Sequence, residues 1–358
     1  MAQLKQYDDA FARFFSDLRK HGINRDNTLF IFTADEGDHL IAGPASPAGC
    51  DGVHVACTYS KIGEVSANLT GLIAAQTGVT TPFTVHSDSA PNVYVTGRPV
   101  PDAAAARDLE RAAGTVTAVN PYSGKAETVD NTLADPAEMK LLHMLTSDAQ
   151  RNPTFTMFAK PDYFLSAGAP NCNSPCVSIN PAFNWNHGDI APEINITWLG
   201  VIGPGVRKLG VDRKVWSDHV DIRPTIMALT GLRDDYRDQG RVITEIMTGD
   251  RGARGGQDLV RMGAALKQID APVGQLSLDS LQFATRAALS GTDGADGAYI
   301  AADDRIAGWA ARRDSLAGQM LALLQRGGDG EVDHRQAQEL TRQAQALLAE
   351  VHLAATAP

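Results

Sequence analysis

The spacing of apolar residues predicts a helix followed by a short strand at the start of the chain. Tyr7, Phe11, Phe14 and Leu18 recur at helical spacing, and Gly22 is typical of a helix C-terminus. The apolar run TLFIF at residues 28–32 is bounded by polar residues, which is typical of a buried strand in a parallel sheet. This helix–strand order is one unit of an α/β fold.

The same periodicities predict further elements along the first 250 residues. Asp221 can cap a helix in which Pro224 lies in the first turn and Gly231 ends the last one. The other predicted elements are a helix over residues 62–78, strands within residues 92–97, 154–165 and 194–206, and a hairpin near residues 114–130.

The composition changes after about residue 250 towards Ala, Gln, Leu and Arg. Apolar residues fit one helix from Ile306 to Leu323 and another from Leu340 to Val351, with a turn between them. We therefore expect a C-terminal α-helical hairpin over residues 249–358. Such a hairpin offers a surface for packing or for forming a homo-oligomer.

Charge and hydropathy exclude some partners. The 358-residue chain has a formal net charge of −10 and no basic stripe, which argues against nucleic-acid binding. No apolar run approaches the roughly 18 residues that a membrane-spanning helix needs. The first residues, MAQLKQYDDAFARFF, lack the pattern of a signal peptide and instead enter an amphipathic helix.

The four cysteines form two local pairs. Cys50 and Cys57 bracket CDGVHVAC, and Cys172 and Cys176 bracket CNSPC. Small polar loops closed by cysteines suggest disulfides in an exported protein. A four-cysteine zinc site is the alternative, although the first pair is spaced more widely than zinc sites usually are.

A cluster of charged residues follows the first predicted strand. Asp35 and Glu36 come directly after it, and Asp38 and His39 lie just beyond. Adjacent carboxylates repel one another unless a positive charge lies between them, and divalent cations bind carboxylates and imidazoles. The cluster therefore indicates a metal site, a solvated acidic turn, or an aspartate, Asp35, that caps a following helix.

Two later segments carry similar chemistry. His187 and Asp189 lie in FNWNHGDIAPE, where the histidine is either a metal ligand or a hydrogen-bonded loop residue. His219 and Asp221 lie in WSDHVDIRPT, where helix capping explains the aspartate without an active site.

Three segments together resemble the alkaline phosphatase superfamily of metallo-phosphoesterases and sulfatases. They are DNTLFIFTADEGDH, HGDIAPEINITWLGVIGPGV and HVDIRPTIMALTGL, and their order, approximate spacing and apolar pattern match across about residues 1–245. The resemblance implies an α/β fold with a mostly parallel sheet sandwiched by helices. Residues 1–248 would form a partial phosphoesterase core with the hairpin near 114–130 as an insertion, and residues 249–358 would form the helical tail.

The resemblance also implies roles for individual residues. Asp35 falls on the strand-end metal aspartate, and Glu36 replaces the usual histidine, as in the branch that includes bacterial phospholipases C and acid phosphatases. His39 is an alternative source of that imidazole. His187 falls on the later metal-binding His-Gly, and Asp38, Asp189, His219 and Asp221 are supporting residues.

The implied activity is hydrolysis of phosphomonoesters or phosphodiesters with two divalent ions, drawn from Zn, Mn, Ca and Mg. In the superfamily, a nucleophile and further metal ligands precede the strand that begins here at Thr28, yet only 27 residues precede it in this sequence. No nucleophile is therefore assigned, and weak or absent turnover is expected.

The chain resembles the C-terminal portion of a longer periplasmic or secreted enzyme that acts on a small phosphate ester. A non-catalytic metal-binding or interaction remnant is the first alternative. A sulfatase-like hydrolase is the second.

Overall fold

The apolar residues gather into two separate cores, one in each of two units of the chain. Unit 1 comprises residues 1–133 and 153–203, and unit 2 comprises residues 134–152 and 204–358. The computed structural model describes residues 2–233, 235–236, 239–248, 256–291, 296–328 and 333–357. The boundary predicted at residue 248 adjoins residues 249–255, outside the described residues, and stays a prediction.

Unit 1 combines four helices with fifteen strands among its described residues. The helices are α1 (Ala2–Lys20), α2 (Leu69–Thr77), α3 (Ala104–Thr115) and α5 (Pro192–Asn195). Helix α4 (Pro136–Leu141) lies between α3 and α5 in sequence and belongs to unit 2. The strands are β1 (Phe30–Thr33), β2 (His39–Leu40), β3 (Ala45–Ser46), β4 (Thr58–Tyr59), β5 (Glu64–Asn68), β6 (Phe83–His86), β7 (Asn92–Val95), β8 (Thr117–Val119), β9 (Ala126–Thr128), β10 (Asp130–Ala134, whose last residue belongs to unit 2), β11 (Phe155–Ala159), β12 (Tyr163–Ser166), β13 (Val177–Asn180), β14 (Trp185–Asn186) and β15 (Leu199–Ile202).

The strands of unit 1 form small sheets that are mostly antiparallel. A four-stranded sheet has the order β10-β11-β7-β6, a three-stranded sheet has the order β12-β5-β13, and the other strands pair in twos. Strand β12 runs parallel to β5, whereas β13 runs antiparallel to it. The mixed α/β content is as expected, but the expectation of a mostly parallel, sandwiched sheet is not met by the part of the chain that the structure describes.

The core of unit 1 lies between β5, β7, β11, β12 and the helices α2 and α3. Its residues include Val65, Val93, Leu109, Phe155 and Tyr163, each at most 1% exposed. Strands β7 and β12 bury alternate residues, whereas β11 (FTMFA) is buried throughout. The predicted strands within residues 154–165 are confirmed as β11 and β12.

The helix predicted over residues 62–78 is half wrong. Residues 64–68 form strand β5, and the helix begins only at Leu69. Asn68 caps it by accepting a hydrogen bond from the Gly71 backbone N–H, and Gly78 ends it in the left-handed conformation. Strand β5 pairs on both sides with segments about 100 residues further along the chain, which local periodicity does not reveal.

Strands β8 and β9 pair in the segment where the sequence predicts a hairpin. Asn120 shapes the turn, because its side-chain oxygen accepts the backbone N–H of Tyr122. Whether this hairpin is an insertion into a family core stays a prediction.

Helix α1 packs on the two-stranded sheet formed by β1 and β15. Phe15 contacts Phe30 and Phe32 edge-on, with ring centroids 5.3 Å and 5.7 Å apart. Strand β1 pairs antiparallel with β15 and is only partly buried. The prediction of a fully buried strand at residues 28–32 is therefore wrong for the described residues.

Unit 2 is helical. Its described helices are α4 (Pro136–Leu141), α6 (Ile222–Thr230), α7 (Gly256–Asp270), α8 (Gln275–Ser290), α9 (Gly297–Gly328) and α10 (His334–Thr356). Helices α7–α10 enclose a core that contains Met262, Leu276, Trp309, Met320 and Leu347. The two predicted C-terminal helices correspond to α9 and α10, but they belong to a larger helical bundle and not to an isolated hairpin.

Asp221 differs from its predicted role. Gly231 ends α6 in the left-handed conformation as expected, but the Asp221 side chain makes no capping hydrogen bond to α6. Asp221 is fully buried and accepts hydrogen bonds from the Arg241 backbone N–H and the Lys267 ammonium, both at 2.8 Å. The residue is therefore part of a buried ion-pair network.

Both cysteine pairs form disulfides. Cys50 is bonded to Cys57, and Cys172 is bonded to Cys176, which contradicts the zinc alternative. Disulfides persist in oxidising surroundings such as the periplasm or the cell exterior. Among the described residues, no helix has both the length and the apolar character to cross a membrane.

Candidate functional site

A short antiparallel pairing places His187 beside the acidic segment that follows β1. Strand β14 pairs with β2 so that Asn186 lies opposite His39. Extending the register by one residue places His187 opposite Asp38. Two segments about 150 residues apart in sequence therefore meet at their polar ends.

The imidazole of His187 lies between two carboxylates. Its Nδ1 is 3.1 Å from Oδ1 of Asp38, and its Nε2 is 3.6 Å from Oε1 of Glu36. All three side chains are about half exposed. The distance to Asp38 is that of a hydrogen bond, whereas 3.6 Å is too long for one.

Asn186 fixes the strand that carries His187. Its side-chain amide donates to the backbone carbonyls of Pro161 and Tyr163, at 2.8 Å and 3.2 Å. Its side-chain oxygen accepts a hydrogen bond from the hydroxyl of Ser89. The residue is buried, so these bonds hold β14 firmly against the start of β12.

Two glycines permit the close approach of these segments. Gly188 has a φ of +95°, and a Cβ there would lie 2.8 Å from Oδ1 of Asp88. A Cβ on Gly37 would lie 2.2 Å from the backbone oxygen of Glu193, and the Gly37 N–H donates to the Ile194 carbonyl at 2.8 Å. A side chain on Gly37 would push the acidic segment away from Glu193 and Ile194, and one on Gly188 would push the histidine segment away from Asp88.

His39 is held differently from His187. Its Nδ1 lies 2.9 Å from Oε1 of Glu193, and its Nε2 lies 3.0 Å from Oδ1 of Asp162. The hydrogen bond to Asp162 raises the pKa of His39, and the same bond lowers the pKa of Asp162. Each ring nitrogen of His39 thus faces a carboxylate oxygen at hydrogen-bond distance, so these two acids compete with a metal ion for the ring.

Further carboxylates surround these histidines. Asp189 is buried and accepts the backbone N–H of Ala191. Burial raises its pKa, and the negative charges of Glu193 and Asp88 add to the effect. Burial likewise raises the pKa of Glu64. Together these residues form an acidic-histidine cluster: Glu36, Asp38, His39, Glu64, Asp88, Asp162, His187, Asp189 and Glu193. Among the described residues, no lysine or arginine forms an ion pair with any acid of this cluster.

The other predicted site residues lie outside these contacts. Asp35 is exposed, and its carboxylate has no hydrogen bond or ion pair within the ranges that the structure describes. His219 is exposed in a single 3₁₀ turn, His219–Asp221, of unit 2. Asp221 is buried in the same unit beside Lys267.

Unit 2 contains a separate acidic group that the sequence did not suggest. Oxygens of Asp135, Glu138 and Asp303 lie within 4.8 Å of one another, as in a cation site. Asp135 and Glu138 also form a capping box at the start of α4. Burial and the neighbouring Asp135 raise the pKa of Glu138 well above its usual value. Oδ2 of Asp135 and Oε1 of Glu138 are buried without a hydrogen-bond partner among the described residues, so the group is a candidate cation site.

Sequence reasoning missed Asp162, Glu193 and Asp88. Asp162 lies in the turn between β11 and β12, and Glu193 lies in the first turn of α5. The available signal for Asp162 was its place in a short polar turn, residues 160–162, after the apolar run of β11. The contacts of Asp162 and Glu193 with His39 span 123 and 154 residues, which no local pattern indicates.

Comparison of the chain with protein-family models, with curated proteins and with solved structures gave no match.

Proposed function

We propose that the chain is a metal-dependent phosphoric-ester hydrolase of the alkaline phosphatase superfamily, or the metal-binding part of one. The order of the three motifs supports the family, and the contacts of His187 support the metal. The substrate would be a small phosphomonoester or phosphodiester. The two divalent ions of the family site and an exported location belong to the same proposal.

The relation of His187 to Asp38 and Glu36 carries the proposal. Metal-binding histidines usually donate one ring N–H to a carboxylate, which fixes the tautomer and aims the other nitrogen at the metal. Asp38 is placed to accept from Nδ1, which leaves the lone pair of Nε2 facing Glu36 at 3.6 Å. Two electron-rich atoms at this distance repel unless a proton or a cation lies between them.

The donor set fits a divalent ion. His187 Nε2 and the Glu36 carboxylate would hold it, with Asp35 as the neighbouring acid in sequence. Mixed nitrogen and oxygen donors favour zinc or manganese over calcium and magnesium. Such an ion polarises a phosphoryl oxygen and lowers the pKa of a bound hydroxyl or water. The carboxylates of this chain would supply the negative charge that retains such an ion, and Asp38 would supply the hydrogen bond that orients His187.

A non-catalytic metal-binding or interaction module is the second candidate. In the described parts of the chain, no serine, threonine or cysteine side chain is hydrogen-bonded to Glu36, Asp38 or His187. A nucleophile at this site would therefore come from elsewhere. A sulfatase-like activity has no separate observation in its favour.

Metal titration tests the binding step separately from catalysis. Zn²⁺ or Mn²⁺ binding is measured by calorimetry for the wild type, Glu36→Gln, His187→Ala and Asp38→Asn. We expect the first two variants to lose the ion, and Asp38→Asn to weaken binding about 10–100-fold because it acts through the histidine.

His54→Ala is the matched control. His54 is an exposed histidine whose Nδ1 lies 2.6 Å from an aspartate oxygen, as in the candidate site, but it lies in the loop closed by Cys50 and Cys57. Unchanged affinity in Glu36→Gln and His187→Ala would refute the site. Hydrolysis of an aryl phosphate with the same ion then separates an enzyme from a binding module.

A further inference from the structure

Helix α1 leaves an apolar stripe exposed to solvent. Leu4, Tyr7, Phe11 and Phe14 are 62%, 53%, 46% and 50% exposed, although all four are large and apolar. None of them belongs to either apolar core. Scattered exposed apolar residues are normal, but four along one helix face form a contiguous patch.

The spacing within the stripe is that of a helix-pairing seam. Leu4, Tyr7, Phe11, Phe14 and Leu18 follow one another at intervals of three, four, three and four residues. This alternation, an average of about 3.5 residues, places apolar side chains along a narrow line that fits between the side chains of a second helix.

The sheet beneath α1 contacts only one edge of this stripe. Phe15 is anchored on Phe30 and Phe32, and Phe11 also touches Phe32 with ring centroids 5.5 Å apart. The α1 side that carries Phe15 is thereby occupied, while Tyr7 and Phe14 remain about half exposed.

Two exposed residues of the sheet extend the same face. Phe30 lies opposite Ile202 and Phe32 lies opposite Gly200, so Ile202 is on the side of the sheet that α1 covers. Trp198 precedes Gly200 by two residues and is 58% exposed, while Ile202 is 47% exposed. The α1 face is defined here as Leu4, Tyr7, Phe11, Phe14, Trp198 and Ile202.

The exposed area is close to what an interface requires. A fully exposed large side chain presents roughly 150–250 Å², so six half-exposed ones present about 600 Å². A stable protein–protein interface buries roughly 800 Å² on each partner. The polar side chains that flank the stripe supply the remaining area, and aromatic residues are enriched in interface cores.

We propose that the α1 face binds the same face of a second copy of this chain, so that the two α1 helices pair. A seam with heptad spacing is self-complementary, because each helix offers both the protruding side chains and the spaces between them. The surface is therefore suited to a two-fold symmetric dimer, in which the same patch is used on both subunits.

The C-terminal helices do not offer an equivalent seam among their described residues. Ile306, Met320, Leu340, Leu347 and Val351 are each at most 3% exposed. The apolar residues that the sequence offered for association are thus already used within the bundle of unit 2.

Sedimentation equilibrium of the full chain tests the dimer. We expect the wild type to have twice the mass of the monomer at micromolar concentration, and the double variant Tyr7→Glu/Phe14→Glu to have the monomer mass. Leu353→Glu is the matched control, because Leu353 is an exposed apolar residue of α10, 70% exposed. This variant should remain dimeric.

A second measurement guards against misfolding of the double variant. The described residues contain no free cysteine, so Phe11→Cys introduces a single thiol in the middle of the seam. This variant should form a disulfide-linked dimer on oxidation, whereas Leu353→Cys should not. The proposal would be overturned if the wild type were monomeric at all concentrations, which would mean that the α1 face binds a different polypeptide. It would equally be overturned if the Tyr7→Glu/Phe14→Glu variant remained dimeric.

Discussion

Replacing Lys267 with methionine should strongly destabilise unit 2. The ammonium of Lys267 lies 2.8 Å from Oδ2 of Asp218 and 2.8 Å from Oδ1 of Asp221. The side chains of Lys267 and Asp221 are 6% and 0% exposed. The substitution keeps the length of the apolar stem but leaves the Asp221 carboxylate buried without its counter-ion.

The expected loss is about 3 kcal/mol in the free energy of unfolding. Removing one partner of a buried ion pair typically costs roughly 3–5 kcal/mol, because the remaining charge is buried and uncompensated. The lower end of this energy range applies to Lys267→Met, because the backbone N–H groups of Asp218 and Arg241 still donate hydrogen bonds to the Asp221 carboxylate at 3.0 Å and 2.8 Å. For a unit of this size, 3 kcal/mol lowers the melting temperature by about 6–12 °C.

Lys140→Met is the matched control. Lys140 pairs with Asp314 in the same unit at 3.3 Å, but the two side chains are 50% and 48% exposed. An exposed pair contributes at most about 1 kcal/mol. Unfolding in urea, followed by circular dichroism of the helices, compares both variants with the wild type.

Equal stability of the Lys267→Met and Lys140→Met variants would refute the reasoning. It would mean that solvent reaches Asp221 or that the carboxylate takes up a proton at little cost. A double variant, Lys267→Met with Asp221→Asn, should recover part of the loss, because the orphaned charge is then absent.

Three further predictions concern other charged or covalent contacts. Replacing both Cys50 and Cys57 with serine should cost about 2 kcal/mol, as the entropy of a loop with a sequence separation of 7 predicts, measured by urea unfolding. The hydrogen bond to Asp270 raises the pKa of His143, so its stabilisation is present below the usual histidine pKa and is lost as the pH rises through the raised value. His143→Gln should therefore flatten the decline in stability between about pH 6 and pH 8. Burial raises the pKa of Glu138, so its contribution to stability is present below the usual glutamate pKa and falls as the pH rises above that value; Glu138→Gln should remove that slope and, at pH 8, should unfold at no lower urea concentration than the wild type.

Local patterns predicted the elements that depend on nearby residues. Helix α1, helix α6 with its terminal Gly231, strands β11 and β12, and helices α9 and α10 occur where the spacing of apolar residues placed them. The two disulfides join cysteines only seven and four residues apart. The helices and the disulfides depend on contacts within a few turns of chain, and the apolar runs of β11 and β12 indicate buried strands without indicating which strands they pair with.

The candidate site was predicted only in part. The sequence singled out Glu36, Asp38 and His187 as polar residues next to apolar runs, and the β2–β14 pairing brings these three together. It also offered His39 as a ligand, yet Asp162 and Glu193 occupy both nitrogens of that ring. A residue type shows what a side chain can bind, but its actual partners come from distant segments.

The amino-acid sequence by itself determined the local elements, the disulfide pairs and the chemical character of the segments around Asp35 and His187. The tertiary structure alone decided that residues 64–68 form a strand, that most strands pair antiparallel, and that Asp221 is paired with Lys267. Strand pairing and charge neutralisation join residues tens to more than a hundred positions apart, so their energies depend on chain topology, which apolar periodicity does not encode.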